Sequence, residues 1–188
     1  MVEDQDRSSS APPRVPAVAW LVGGVLVGIA GLLIMMSEPI EPPLSRGDRA
    51  PSFDLPSLES GDNVTLEELR GKVVLVNFWA TWCKPCEEEM PAMQNLHTAL
   101  GEEGFALIAI AVDRSRDDVV AFQERLGIGF PIVLDPDQKA AGAYQTTGFP
   151  ESILVDADGV IVERYVGPRE WDHPDYVARI RRLMAARG

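Results

Sequence analysis

The chain contains two cysteines, Cys83 and Cys86, and only two residues separate them. Two thiols at this spacing can close a small disulfide ring without movement of the backbone when they stand at the start of a helix. An apolar run from 73 to 79 precedes the pair, and a helix-compatible run from 87 to 100 follows it. The pattern predicts a redox dithiol where a strand ends and a helix begins.

The positions of the two thiols predict different roles. Cys83 precedes the helix and is the expected exposed, attacking thiol, because the free N–H groups and the positive end of the helix dipole favour its thiolate. Cys86 lies one turn inside the helix and is the expected resolving thiol, which releases the mixed disulfide. Lys84 adds a nearby positive charge. Pro85 suits the first helical turn, where the N–H that it lacks would have no partner.

Two other uses of a cysteine pair are less favoured. A structural zinc site needs four ligands, and the two histidines, His97 and His173, are isolated and far apart. A purely structural disulfide at this spacing would close too short a loop to stabilise the fold much. We therefore expect no metal and no cofactor at the site.

The elements that must position the dithiol alternate between strands and helices. Apolar runs at 72–79 and 105–112 are typical of buried parallel strands, and helical patterns follow at 87–100 and at about 116–126. Such alternation predicts βαβ units around a parallel sheet. The turn at 156–159 predicts a hairpin that adds an antiparallel edge.

Two additions to this α/β frame are expected. Short strand candidates on either side of the turn at 60–63 predict an N-terminal hairpin. The segments 130–134 and 139–144 predict a short internal βα insertion. We therefore predict a central mixed sheet flanked by helices.

The N-terminal third has a different composition. Residues 17–36 carry no charge over twenty positions, and a helix of that length, about 30 Å, could cross a bilayer. A cleaved signal peptide is the rival, but the run exceeds a usual signal core and no small-x-small site follows. We predict a cytoplasmic disordered tail at 1–16, a transmembrane anchor at 17–36, a Pro-rich linker at 37–52 and a folded domain at 47–188.

The overall charge excludes one class of partner. The formal net charge is −12 and the isoelectric point is near 4.6. A nucleic-acid-binding protein would need a basic face. We therefore expect no nucleic-acid partner.

Three sequence segments carry a family resemblance. The run from Phe78 to Cys86, with Glu89-Met90-Pro91 behind it and the segment 148–152 downstream, resembles the membrane-anchored thioredoxin-like family of TlpA, ResA and CcmG. The similarity extends from about Gly47 to the C-terminus. It implies a thioredoxin-like fold and a cis Phe149–Pro150 peptide that faces the dithiol.

The resemblance also extends the list of site residues. Glu89 lies three residues after Cys86 on one helical face, and the family has a glutamate beside its dithiol, so Glu89 is the third predicted catalytic residue. A solvent-exposed carboxylate is the rival interpretation. Asn77 stands where thioredoxins commonly carry a buried acid, which makes Glu89 the better candidate for an internal proton acceptor. The predicted substrate-binding residues are Trp82, Lys84, Pro85, Phe149 and Pro150, whereas Trp79 belongs either to the rim of the site or to the core.

The function that the resemblance implies is thiol-disulfide exchange. The expected protein is a single-pass reductase of the bacterial cytoplasmic membrane whose domain lies on the periplasmic, extracytoplasmic side, where disulfides form. It would reduce disulfide-containing proteins, for example apocytochrome c, and would be recharged by a membrane thiol donor. A peroxiredoxin-like peroxidase fits less well, because no proline lies between Lys72 and Cys83. A copper chaperone also fits poorly, because such proteins typically show Cys-x-x-x-Cys with a distant histidine ligand, and here the spacing is one residue shorter.

Overall fold

The computed structural model describes residues 17–36 and 42–186. The chain divides into two compact units, the first ending at Pro42 and the second beginning at Pro43. The helices and strands are α1 (Ala17–Met36), β1 (Asp54–Pro56), β2 (Asn63–Thr65), a 3-10 turn (Glu67–Leu69), β3 (Val73–Trp79), α2 (Lys84–Leu100), β4 (Phe105–Ala111), α3 (Arg116–Leu126), β5 (Ile132–Leu134), α4 (Lys139–Ala143), β6 (Glu151–Val155), β7 (Ile161–Val166) and α5 (Pro174–Ala185).

The first unit contains α1. The structure describes the backbone of this 20-residue helix throughout, but the side chains of only part of it. Counted over the residues that are fully described, no helix of the chain is long and apolar enough to cross a membrane. The transmembrane anchor at 17–36 therefore stays a prediction. The predicted tail at 1–16 and residues 37–41 of the predicted linker lie outside the described residues.

Five strands of the second unit form one mixed sheet in the order β5-β4-β3-β6-β7. β3 lies at its centre, parallel to β4 and antiparallel to β6. β5 extends the parallel side, and β7 pairs antiparallel with β6 at the other edge. Every residue of β3 is buried, as the continuous apolar run predicted. The predicted mixed sheet is confirmed.

The two predicted additions are also confirmed. β1 and β2 form a separate antiparallel hairpin. β5 and α4 follow α3 as the internal βα insertion, with β5 at the edge of the sheet.

The ends of α2 and α3 follow from their capping residues. α2 begins at Lys84, three positions before the run read from the sequence, because Cys83 takes the N-cap position. Ser115 caps α3 by accepting a hydrogen bond of 3.2 Å from the backbone of Asp118, and Gly127 ends the helix at a φ of 64°. The start of α2 therefore lies directly after the loop that leaves β3.

Candidate active site

The dithiol stands where the chain passes from the central strand into α2. Cys83 and Cys86 form a disulfide, and Pro85 lies in the first turn of the helix, as predicted. Sγ of Cys83 accepts a hydrogen bond of 3.3 Å from the backbone N–H of Cys86. In the reduced protein, N–H groups at a helix start favour a thiolate at this position. The local geometry is therefore that of an exchangeable cysteine pair.

The expectation that Cys83 is exposed is wrong for this oxidised form. Cys83 is 6% exposed and Cys86 is fully buried. Because the sulfur of Cys83 is bonded to a buried sulfur, it lies against the protein rather than in solvent. Cys83 is nevertheless the more accessible of the two, which agrees with its predicted role. The attacking and resolving roles remain predictions.

Glu89 is buried rather than exposed, so the interpretation of a solvent-exposed carboxylate is wrong. Glu89 is 2% exposed and lies three positions after Cys86, on the same side of α2. Burial raises the pKa of Glu89 to about 7, against the opposing effect of hydrogen bonds from Asn77, Arg169 and Trp171. A carboxyl group with this pKa can exchange a proton near neutral pH.

Three donors hold the Glu89 carboxylate from two different directions. Nδ2 of Asn77, in β3, donates to Oε1 at 2.9 Å. The backbone N–H of Arg169 and Nε1 of Trp171 both donate to Oε2, each at 3.2 Å. Asn77 is fully buried and also donates to Oγ of Ser152, its neighbour in β6, at 2.9 Å. Asn77, the polar residue of the otherwise apolar strand β3, therefore helps to hold the Glu89 carboxylate.

The loop before the dithiol is held by an acid that follows β4. Asp113 is 7% exposed. Its carboxylate accepts hydrogen bonds from the backbone N–H of Thr81, at 3.0 and 3.2 Å, and from the Thr81 hydroxyl, at 2.6 Å. Asp113 is not among the site residues that were predicted from the sequence. The available signal was an acid directly after a buried strand parallel to β3, because such strands end at one edge of the sheet.

The predicted cis peptide between Phe149 and Pro150 is confirmed. The carbonyl of Pro150 accepts a hydrogen bond of 2.9 Å from the backbone N–H of Gly167. Glu151, which is buried, forms an ion pair with Arg164 and accepts a hydrogen bond of 3.0 Å from the backbone of Thr147. These contacts fix the loop on β7.

Two of the predicted substrate-binding residues form an apolar edge next to Cys83. The ring of Trp82 is 69% exposed and meets the half-buried ring of Phe149 edge to face, with 5.9 Å between centroids. The cis-proline loop therefore lies beside the residue that precedes Cys83. Trp79 is fully buried and packs on Phe122, so it belongs to the core.

Lys84 and Pro85, the other two predicted substrate-binding residues at the helix start, are exposed. The Lys84 ammonium lies 3.6 Å from Glu87, which also accepts a hydrogen bond of 2.7 Å from Arg125. That bond from Arg125 is the main cause that lowers the pKa of Glu87. The charge of Lys84 is therefore shared with an acid of its own helix.

Across the part of the chain that the structure describes, no group of three or more His, Cys, Asp and Glu side chains is placed to hold a metal ion.

Known proteins resemble the chain over most of the second unit. The AhpC/TSA family matches residues 46–164. The thiol-disulfide oxidoreductase ResA of Bacillus thuringiensis (strain Al Hakam) is 42% identical over 121 residues, which are 64% of this chain and 69% of that relative. The thioredoxin-like protein YneN of Bacillus subtilis (strain 168) is 36% identical over 156 residues, 79% of this chain and 89% of its own.

A solved structure also resembles the second unit of the chain. The thiol:disulfide interchange protein of Chlorobium tepidum TLS, a thioredoxin family protein, superimposes with a TM-score of 0.63 at 32% identity, over 72% of this chain and 97% of its own. The mixed sheet with its flanking helices is thus a thioredoxin-like fold.

Proposed function

Because the chain belongs to the AhpC/TSA family and, within it, to the thiol-disulfide oxidoreductases related to ResA, we propose that it works as a reductase of protein disulfides outside the cytoplasm. The thiol-disulfide oxidoreductase activity is the common property of these relatives. What we propose beyond that activity is that the exchange runs toward reduction, that the substrates are proteins outside the cytoplasm, and that the chain is tethered to the membrane. The observation that carries it is the buried Glu89 carboxylate, which lies on the same face of α2 as Cys86, the partner of Cys83 in the disulfide.

The proposed cycle starts from the reduced dithiol. The Cys83 thiolate attacks one sulfur of a substrate disulfide, a Cys83–substrate bond forms, and the substrate S–S bond breaks. The first substrate sulfur leaves as a thiolate and takes a proton. Cys86 then loses its proton to Glu89 and attacks Sγ of Cys83, so that the Cys83–Cys86 bond forms and the Cys83–substrate bond breaks. The second substrate sulfur leaves as a thiolate and takes the proton from Glu89, which is thereby ionised again. The substrate gains two electrons and two protons, and the protein ends as the disulfide seen in the structure.

The acidic surroundings support reduction rather than oxidation. Strong disulfide oxidants stabilise their thiolate with positive surroundings. Here Lys84 is paired with Glu87, the acid Glu89 is buried three positions after Cys86, and the chain has a net charge of −12. These charges disfavour a strongly lowered thiol pKa. We therefore propose a comparatively reducing couple that a membrane thiol donor keeps reduced.

The uncharged run at 17–36 supports the proposed tether to the bacterial cytoplasmic membrane, with the second unit on the periplasmic side. Disulfide substrates occur in that compartment. The resemblance to the TlpA, ResA and CcmG group suggests apocytochrome c or another extracytoplasmic protein as the substrate.

The experiment is a measurement of redox state in cells together with a titration of the purified protein against glutathione. Acid quenching and alkylation of growing cells should find Cys83 and Cys86 mainly as thiols, with a potential well below that of a strong oxidase at about −120 mV. A mainly oxidised population with a potential near that value would refute the reductase assignment.

Two controls separate the alternatives. A thiol peroxidase would consume hydrogen peroxide at a rate that depends on Cys83. A copper chaperone would retain copper through purification, which metal analysis of the reduced protein measures. We expect neither result.

A further inference from the structure

Trp171 reaches the candidate active site from the loop between β7 and α5. Its side chain is 1% exposed, and Nε1 donates to Oε2 of Glu89 at 3.2 Å. The two residues are 82 positions apart in the chain. An indole N–H can only donate a hydrogen bond, so it favours the acceptor form of its partner.

The loop that carries Trp171 is fixed on both sides. The indole packs edge to face on Tyr165 of β7 and lies against Tyr176 of α5, both with 5.1 Å between ring centroids. The guanidinium of Arg169 donates to the carbonyl groups of Val166, Gly167 and Pro168. The N–H of Trp171 therefore points at Glu89 from a rigid position.

The groups that face Glu89 all favour a negative charge, because they donate hydrogen bonds or carry a positive charge. Asn77 donates from β3, Trp171 and the backbone of Arg169 donate from the loop, and the positive charge of Arg169 adds a favourable interaction with the carboxylate. On its own helix, Cys86 lies three positions before Glu89 on the same face. Tyr165 packs on Trp171 and makes no hydrogen bond to Glu89 within the described residues.

We propose that Trp171 is a positioning residue for disulfide exchange: its indole N–H holds the Glu89 carboxylate beside the dithiol and favours its ionised form. The proposal rests on the proposed role of Glu89 as the proton acceptor for Cys86. Burial and the three donors act in opposite directions on Glu89, so the loss of one donor leaves burial less opposed. The pKa of Glu89 should then rise, and with it the pH above which the group is ionised and can accept a proton.

The test compares Trp171→Phe with wild type in the reduced, full-length chain. Carboxyl-carbon NMR follows the titration of Glu89, and the pH profile of alkylation follows the dithiol. A hydrogen bond to a charged group accounts for roughly one pH unit, so both midpoints should rise by about that amount. The matched control is Tyr165→Phe, which removes one polar atom from the same aromatic cluster and should move neither midpoint.

A second replacement keeps the test decisive if Trp171→Phe folds poorly. Incorporation of 3-benzothienylalanine at position 171 preserves the bicyclic ring and exchanges the N–H for sulfur, so the packing on Tyr165 and Tyr176 is retained. The same rise of both midpoints is expected.

Failure of the inference is distinguishable from failure of the proposed function. If Glu89→Gln changes the alkylation profile but loss of the indole N–H does not move the Glu89 midpoint, Trp171 has no positioning role. If Glu89→Gln leaves the alkylation profile unchanged, the proton-acceptor role of Glu89 is wrong and the inference is overturned with it.

Discussion

Nδ2 of Asn77 donates a hydrogen bond of 2.9 Å to Oε1 of Glu89, which joins the central strand β3 to the active-site helix α2. Asn77 holds the strand position where thioredoxins commonly carry an acid, whereas the acid of this chain comes from the helix. The amide also donates to Ser152, so three elements meet at one buried group. The carboxylate is thereby fixed on the face of α2 that carries Cys86, and the following predictions depend on this arrangement.

Cys86→Ser should accumulate mixed disulfides with substrate proteins, because Cys83 can still attack but nothing resolves the complex. Cys83→Ser should accumulate none, since the remaining thiol is fully buried. Non-reducing electrophoresis after acid quenching measures both. Equal trapping by the two variants would contradict the assigned roles.

The pH profile of dithiol alkylation should show an inflection near pH 7 in the wild type, because burial raises the pKa of the Glu89 carboxyl group to about 7, and Glu89→Gln should lack that inflection. Glu88→Gln is the matched control, since Glu88 is the neighbouring acid on α2 and is exposed. An identical profile for Glu89→Gln and wild type would show that the carboxyl group takes no part in the exchange.

The stability of the oxidised protein should depend on pH through Glu89. Burial raises the pKa of Glu89 from 4.5 to about 7, so the folded state binds more protons than the unfolded state between these values. The free energy of unfolding should therefore fall as the pH rises through this window, by on the order of 3 kcal/mol from this residue. Urea titrations at a series of pH values measure it. Glu89→Gln should flatten the dependence, and an unchanged slope would contradict the burial of a titrating carboxyl group.

Asp113→Ala should loosen the loop before the dithiol. The change leaves the N–H and the hydroxyl of Thr81 without their acceptor, which should lower the free energy of unfolding by about 1–3 kcal/mol. Asp117→Ala is the control, because Asp117 is exposed in the first turn of α3 and should cost well under about 1 kcal/mol. Denaturant unfolding and the rate of substrate reduction should both distinguish the two variants.

Trp82→Ala should weaken protein substrates without changing the dithiol itself. Removal of a 69% exposed aromatic ring beside Cys83 should raise KM for a protein disulfide roughly tenfold. The rate at which a small dithiol reduces the Cys83–Cys86 disulfide should remain near that of wild type. An equal loss in both assays would assign Trp82 to the structure of the site rather than to the substrate surface.

The sequence alone determined the elements that depend on local chemistry. The Cys83 start of α2 and the Ser115 and Gly127 ends of α3 follow from contacts within a few residues. The continuous apolar run of β3 is itself typical of a strand that is buried on both faces, so it also could be predicted from the sequence. The cis Phe149–Pro150 peptide came from the resemblance and was confirmed.

The tertiary structure decided the surroundings of the carboxyl group. Glu89 could have faced solvent on sequence grounds, and it is buried because three donors lie 12, 80 and 82 positions away at Asn77, Arg169 and Trp171. No helical or strand period contains such separations. The two long separations arise only because β7 runs parallel to β3, so that the loop after β7 lies at the end of the sheet where α2 begins. Burial of the carboxylate without these donors would cost far more free energy.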